Sequence, residues 1–208
     1  EIDNADFFYP VSIVEKDEIL DVAKRINPCG VCSIASDLAA ITVNYVAERL
    51  GLPCNKSKYT DVQTNKYAMR QALLSAGVPC PKFVKVNKDF EIDVIRDFEF
   101  PIIVKPTDRS GSRSITKLES ADGLYDAVRS ACDVSFEKAA IIEEFIDGDE
   151  FSMETITQNG IHHYLATTKK FTTGAPHFIE TGHREPSGLS DAVLSRAKDV
   201  VFKSLTAL

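Results

Sequence analysis

No apolar run in this sequence approaches the ~20 residues that a helix needs to cross a bilayer. The first residues, Glu1-Ile2-Asp3-Asn4, are acidic and offer neither the basic start nor the apolar stretch of a secretory signal. No initiator methionine opens the chain, so the true N-terminus is expected upstream. Basic excess is lacking too. Lys and Arg number 24 against 31 Asp and Glu, a net charge of −7, whereas nucleic-acid binders gather Lys and Arg on one face. Neither nucleic acid nor membrane is an expected partner. The five cysteines (Cys29, Cys32, Cys54, Cys80 and Cys132) are odd in number and scattered, which argues against a disulfide framework and suits a reducing cytoplasm. Cys29 and Cys32 have C-x-x-C spacing, but no second ligand pair for zinc follows, and the segment is not the start of a helix after a strand. Packing or chance accounts for them. Neither G-x-x-x-x-G-K-[ST] nor G-x-G-x-x-G occurs, so a P-loop is not expected, and a dinucleotide-binding oxidoreductase is set aside. Repeats and low-complexity tracts are also missing.

What is present is an ordinary globular balance. Of 208 residues, 44% are hydrophobic and 26% charged, enough for one large domain or two small ones. Residues 1 to about 55 read as a β/α layer. Phe7-Phe8-Tyr9 and Gly30 to Ile34 are strand candidates. Helices are expected over Lys16 to Ile26 and from the Ser36-Asp37 cap to Leu50, the second turning Leu38, Ile41, Val46 and Leu50 inward. Strand–helix alternation there argues for a parallel sheet. Further on, the pattern predicts a helix over Asn65 to Ala76, strands at Lys82 to Val86, Phe100 to Pro106 and Ile115 to Leu118, and a helix over Ser120 to Cys132. Ala139 to Ile146, Phe151 to Thr157 and His162 to Thr168 then read as consecutive antiparallel strands, with turns at Asp147-Gly148-Asp149 and Gln158-Asn159-Gly160. A last helix runs from about Ser190 to Leu208, with Val193, Leu194, Val200, Val201 and Leu205 apolar.

Three segments carry chemistry. In Ile103 to Arg113 a buried strand delivers Lys105 to its end and opens into a Ser/Gly/Arg loop. An unpaired charge in a buried strand is costly, so Lys105 needs a partner, and a phosphate is a good one. Ser110-Gly111-Ser112 has the composition of a turn that aims backbone N–H groups at an anion. The same residues also fit a solvated hairpin loop whose lysine has reached the surface. In Ile141 to Glu150 an apolar strand ends in Glu143-Glu144; by itself such a pair reads as a wet strand end. In Asn65 to Arg70, Lys66 adds charge to a helix start, where backbone N–H groups favour anions.

Taken together and in order, N-K-Y-A-M-R (65–70), A-G-V-P-C-P (76–81), F-P-I-I-V-K-P (100–106), S-G-S-R (110–113), I-I-E-E-F-I-D-G-D-E-F-S (141–152) and T-G-H-R-E-P (181–186) resemble the ATP-grasp superfamily over nearly the whole chain. The nearest resemblance is to stand-alone proteins of that superfamily that are similar to carbamoyl-phosphate synthase and biotin carboxylase. It implies an α/β (α+β sandwich) fold in three pieces. A partial Rossmann-like pre-ATP-grasp domain spans 1–62, an A subdomain 63–137, and a C-terminally incomplete B subdomain 138–208, with ATP between the two sheets. It further implies that Lys66 and Lys105 contact ATP phosphates and that Ser110, Gly111 and Ser112 close over the triphosphate. The Glu143-Glu144-Phe145-Ile146 strand would offer backbone groups to adenine, and Glu150 would bind ribose hydroxyls. His183 would sit near the terminal phosphate and the acyl substrate, and Arg184 would hold a substrate carboxylate or the departing phosphate. His162 and His163 are adjacent on a strand, face opposite ways, and read as structural.

The implied activity is an ATP-dependent carboxylate–amine ligase working through an acyl phosphate, with ATP and Mg2+ as cofactors and small-molecule carboxylate and amine substrates, in the cytoplasm and as a homodimer. The other function class is a nucleotide-binding module without ligase activity. Two departures stand out. Ser114 follows the S-G-S-R stretch where the family has glycine, which implies a stiffer loop or a backbone that needs no positive φ. The family's magnesium ligands, an acidic residue on a late strand and a Glu-x-Asn run, are expected beyond Leu208. The 208-residue chain by itself is therefore expected to turn over nothing.

Overall fold

The computed structural model describes residues 5–34, 36–175 and 178–208. They form two compact units that divide between Thr64 and Asn65.

The first unit is helical. Helices α1 (Lys16–Ile26) and α2 (Asp37–Arg49) are followed by a short 3-10 turn and α3 (Thr60–Thr64). Ser36 caps α2, its Oγ accepting from the Ala39 N–H at 3.3 Å, which satisfies one of the orphan donors of the first turn. Leu20, Ala23 and Val46 make a small core with Ile19, Val31, Tyr45 and Leu50 against it. Leu38, expected inside, is exposed, and Ile41 is half-buried. No strand occurs among the described residues of this unit, so the expected parallel sheet is not there. Phe7 is 80% and Ile34 90% exposed. An apolar segment becomes a strand only when another strand takes its N–H and C=O groups, and neither Phe7-Phe8-Tyr9 nor Gly30 to Ile34 has such a partner here.

The second unit carries both sheets. Helix α4 (Lys66–Ser75) leads to strands β1 (Phe83–Val86), β2 (Ile102–Pro106) and β3 (Thr116–Leu118), helix α5 (Leu124–Val134) and strand β4 (Ala140–Glu144). These strands form one antiparallel sheet in the order β1-β4-β2-β3. Strands β5 (Phe151–Gln158), β6 (Ile161–Thr172) and β7 (Glu180–Arg184) form a second antiparallel sheet, and helix α6 (Asp191–Ala207) ends the chain. Two expectations are corrected. Strand β4 does not pair with β5; it is a central strand of the first sheet, so Asp147-Gly148-Asp149 links two sheets rather than two hairpin strands. Helix α5 begins four residues later than its apolar spacing suggested, with Gly123 in the left-handed region before it. The hairpin at Asn159-Gly160 is as expected. Both residues have positive φ, 52° and 77°, the pair of values a two-residue primed turn requires and that Asn-Gly adopts readily.

The core lies between the first sheet and α5. Ile102 and Val104 of β2, Ala140 and Ile142 of β4, and Leu124, Val128 and Ala131 of α5 are all fully buried there. Period-2 alternation then sends Ile103 and Lys105 of β2, and Ile141 and Glu143 of β4, to the opposite face. One face of the strands therefore packs on α5, and on the other Ile141 is fully buried while Ile103, Lys105 and Glu143 border a cavity.

Candidate functional site

Register brings the key residues of that second face together. Ile103 lies opposite Glu143 and Lys105 opposite Ile141, so Lys105 and Glu143 are diagonal neighbours within reach of a long side chain. Glu143 is only 2% exposed and Lys105 17%, and the two are ion-paired. The other Glu143 oxygen receives the Arg70 Nε at 2.5 Å. Burial pushes the Glu143 carboxyl up, but the Lys105 ammonium and the Arg70 guanidinium outweigh it and hold the group below the usual carboxylate range. The strand-end pair read as solvated is thus half wrong. Glu143 is buried and doubly paired, whereas Glu144 accepts from the Glu99 N–H at 3.0 Å and lies 3.5 Å from the Lys82 Nζ.

Helix α4 aims its basic residues by its cap and its period. The Asn65 side chain accepts from the N–H groups of Tyr67 and Ala68 at 3.0 and 3.1 Å, which fixes where the helix begins. Arg70 is four residues after Lys66 and so shares its face. The Lys66 backbone N–H donates to the Thr107 carbonyl at 2.7 Å, and its ammonium donates to the Arg109 carbonyl. Lys66 therefore meets the β2–β3 loop at its base rather than lining the cavity described below.

That loop is fastened at its start. The Asp108 carboxylate accepts from the N–H groups of Phe136 and Glu137 at 3.1 and 2.9 Å. Arg109 donates to the Val134 carbonyl at 2.5 Å and stacks on Phe136. Ser110 and Gly111 are exposed beyond these anchors. The Ser112 hydroxyl donates to the Phe178 carbonyl at 2.9 Å. Gly111, Ser112 and Ser114 have φ of 71°, 53° and 54°, so Ser114 does take the left-handed conformation, and the serine stands there at some conformational cost. Its hydroxyl is 2.6 Å from that of Ser130.

A cavity of about 860 Å³ opens between the two sheets of this unit. Lys105, Glu143, Glu144, Phe145, Ile146 and Glu150 all line it, so six of the sequence-predicted residues share one space. Its apolar part includes Phe145 and Phe178, whose ring centroids are 5.9 Å apart. The Glu144 N–H is taken by the Lys82 carbonyl at 3.0 Å. Ile146, 70% exposed, makes no hydrogen bond among the described residues. Glu150 pairs with Lys170 at 2.9 Å, and Lys170 also reaches Glu180 at 2.5 Å. Glu180 in turn is 3.5 Å from the His183 Nε2.

His183 lies in β7, opposite Lys170 of β6, half exposed and outside the cavity lining. Arg184 donates to the Ser187 carbonyl at 2.8 Å and is committed to its own loop. His162 bonds to Thr157 and Thr206 by its two ring nitrogens, as a structural residue would. Sequence reasoning missed Arg70, Lys169 and Lys170, all of which line the cavity. For Arg70 a signal existed in its i+4 spacing from Lys66; for the Lys169-Lys170 pair it did not.

Two partly or fully buried carboxylates contribute to the acid stability of this unit. Glu143 is shifted down as described. Glu137 is as well, where burial raises it but hydrogen bonds from Lys85, Thr107 and Asn65 prevail. A carboxyl whose folded pKa lies below its unfolded one stabilises the fold above the ordinary range, and that contribution is lost as pH falls through the folded value. The urea midpoint is expected to be flat near neutrality and to drop once the pH passes below about 4. A midpoint that rose on acidification would contradict these pairings.

The sequence pattern of the ATP-grasp domain matches residues 98–208, over half of the chain. The chain belongs to the ATP-grasp family. Among solved structures, the L-amino acid ligase of Bacillus licheniformis has a similar fold, with a TM-score of 0.79 at 23% identity over 95% of this chain and 48% of that one. The phosphoribosylglycinamide synthetase of Anaerococcus prevotii superimposes with a TM-score of 0.74 at 20% identity, over 99% of this chain and 51% of that one. In sequence, D-alanine–D-alanine ligase B of Chromobacterium violaceum is 28% identical over 174 residues, 80% of this chain and 56% of that protein. An uncharacterized protein of Sinorhizobium fredii is 28% identical over 202 residues, 90% of this chain and 39% of that protein. The chain thus spans about half the length of the relatives it matches. Among the described residues no helix is long and apolar enough to cross a membrane.

Proposed function

We propose that this ATP-grasp chain binds ATP in the cavity between its two sheets and serves an ATP-dependent ligase that joins a carboxylate to an amine through an acyl phosphate. One observation carries the reading: Lys105 ends a buried strand, is held by a buried carboxylate, and faces a large mixed apolar and cationic cavity. ATP fits this chemistry. Phe145, Ile146 and Phe178 offer apolar surface to a base, the Ile146 backbone, without a hydrogen bond among the described residues, offers it an edge, and Glu150 supplies acceptors for ribose hydroxyls. Lys105 and the nearby Lys170 supply positive charge for phosphates. Lys66 and the Ser110-Gly111-Ser112 turn would close on the phosphate end. Magnesium is different. Among the described residues no three Asp, Glu, His or Cys side chains gather as a metal site, so no step is drawn through it from these residues.

In this reading the protein's contribution is positioning and charge stabilisation. The nucleotide is held across the two sheets. His183, linked to the cavity through Glu180 and Lys170, would attend the acyl substrate or the terminal phosphate, and Arg184 would do so only on leaving the Ser187 carbonyl that it holds here. The names of the relatives point to amino acids as substrates, and a homodimer belongs to the same proposal.

The test is ADP release by the full-length protein supplied with ATP, magnesium and a panel of amino acids, alongside ATP titration by calorimetry. Release that depends on both a carboxylate and an amine supports the ligase. ATP binding without substrate-dependent release identifies a nucleotide-binding module instead, and the absence of ATP binding overturns both.

A further inference from the structure

We infer that Arg70 is a positioning residue: by sharing the Glu143 carboxylate with Lys105, it keeps the Lys105 ammonium available to a nucleotide phosphate. The inference rests on the nucleotide reading above. Glu143 carries one negative charge at 2% exposure and meets two cations, Arg70 at one oxygen and Lys105 at the other. The trio therefore holds one excess positive charge on the wall of the cavity. Without Arg70, the same carboxylate would face Lys105 alone as a neutral, buried 1:1 pair. A phosphate would then have to break that pair in a region of weak screening, where breaking it is expensive. With Arg70 in place, Glu143 stays neutralised when Lys105 turns toward a phosphate.

Other nearby charges do not take over this task. Glu144 is engaged by Lys82 and the Glu99 N–H. Across the cavity, Lys169 is paired with Asp149 and Lys170 with Glu150. An arginine suits the position because it keeps its charge at any working pH and presents a fixed fork of donors to a carboxylate.

The experiment is ATP and adenosine titration of the full-length protein and of Arg70→Ala, Arg70→Lys, Glu143→Gln and the Arg70→Ala/Glu143→Gln double variant, with each fold checked by thermal unfolding. Arg70→Ala is expected to weaken ATP about 10-fold and adenosine no more than about 2-fold, because only the phosphates depend on Lys105. In the Glu143→Gln background the same substitution is expected to change ATP affinity by no more than about 2-fold, since the competing anion is gone. Arg70→Lys keeps the charge beside Glu143 and should stay within about 3-fold of the unmodified protein, and where Arg70→Ala fails to fold, a folded Arg70→Lys that loses about 10-fold or more in ATP affinity overturns the inference, because the charge that it rests on is still present. Unchanged ATP affinity in Arg70→Ala, an equal loss for adenosine, or an equal loss in the Glu143→Gln background each overturns the inference while the nucleotide reading stands. Failure of the unmodified protein to bind ATP overturns that reading, and this inference with it.

Discussion

Replacing Lys105 with alanine is expected to weaken ATP binding by about 30-fold or more, corresponding to roughly 2 kcal/mol, the usual worth of a charge-assisted contact to a phosphate in a partly desolvated site. The fold should survive. Lys105 is half of a shared pair, and Arg70 remains on Glu143 at 2.5 Å, so the buried carboxylate is not left without a counter-charge. The strand does not depend on the side chain either, because Lys105 points away from the face where Ile102, Val104 and Ile142 pack. Binding and stability should therefore separate: a large loss of ATP affinity, little change for adenosine, and an unfolding midpoint shifted by only a few degrees. Calorimetric titration of the full-length variant is the check. Unchanged ATP affinity would remove Lys105 from the nucleotide site.

Parts of the site were legible in the chain and parts were not, for identifiable reasons. Lys105 stood out because a cation inside an apolar, period-2 strand breaks the pattern and needs an explanation that composition cannot give. The burial of the Glu143 side chain and its two ion pairs were not legible, because they depend on β4 lying between β1 and β2, a pairing of segments far apart in sequence. Chain order suggested that β4 paired with β5, and the Asp147-Gly148-Asp149 turn looked like a hairpin. Local turn residues cannot say whether a turn joins two strands of one sheet or two sheets. Strand β7 was missed since Glu180-Thr181-Gly182-His183-Arg184 has no apolar alternation; it is a strand because the edge of β6 pairs with it. The reverse error occurred near the N-terminus, where Phe7-Phe8-Tyr9 and Gly30 to Ile34 have strand composition but no pairing partner among the described residues. Helices fared better because their signals are local. α1 and α2 begin and end close to where caps and spacing put them, and Asn65 marks the start of α4.

The largest stability effect is expected at Ile142. It is fully buried in a central strand of the first sheet, opposite Val104 and packed with Leu124 and Val128 of α5. Ile142→Ala removes three carbons from a site closed on every side, so little can collapse into the space. Such substitutions cost about 3–4 kcal/mol, transfer and cavity terms together. For a chain of this size that corresponds to a fall of roughly 10 °C in the unfolding midpoint. The neighbouring residue on the strand is Glu143, yet the two side chains point to opposite faces, Ile142 to the helix and Glu143 to the cavity. ATP affinity of the folded variant should therefore stay within about 3-fold at low temperature, and saturating ATP should recover part of the lost midpoint by mass action. The measurement is thermal unfolding with and without ATP, paired with titration well below the midpoint. A loss of less than about 1 kcal/mol would mean that β4 is not at the buried centre of the sheet. A collapse of ATP affinity at full folding would mean that the core and the site are not on separate faces of that strand.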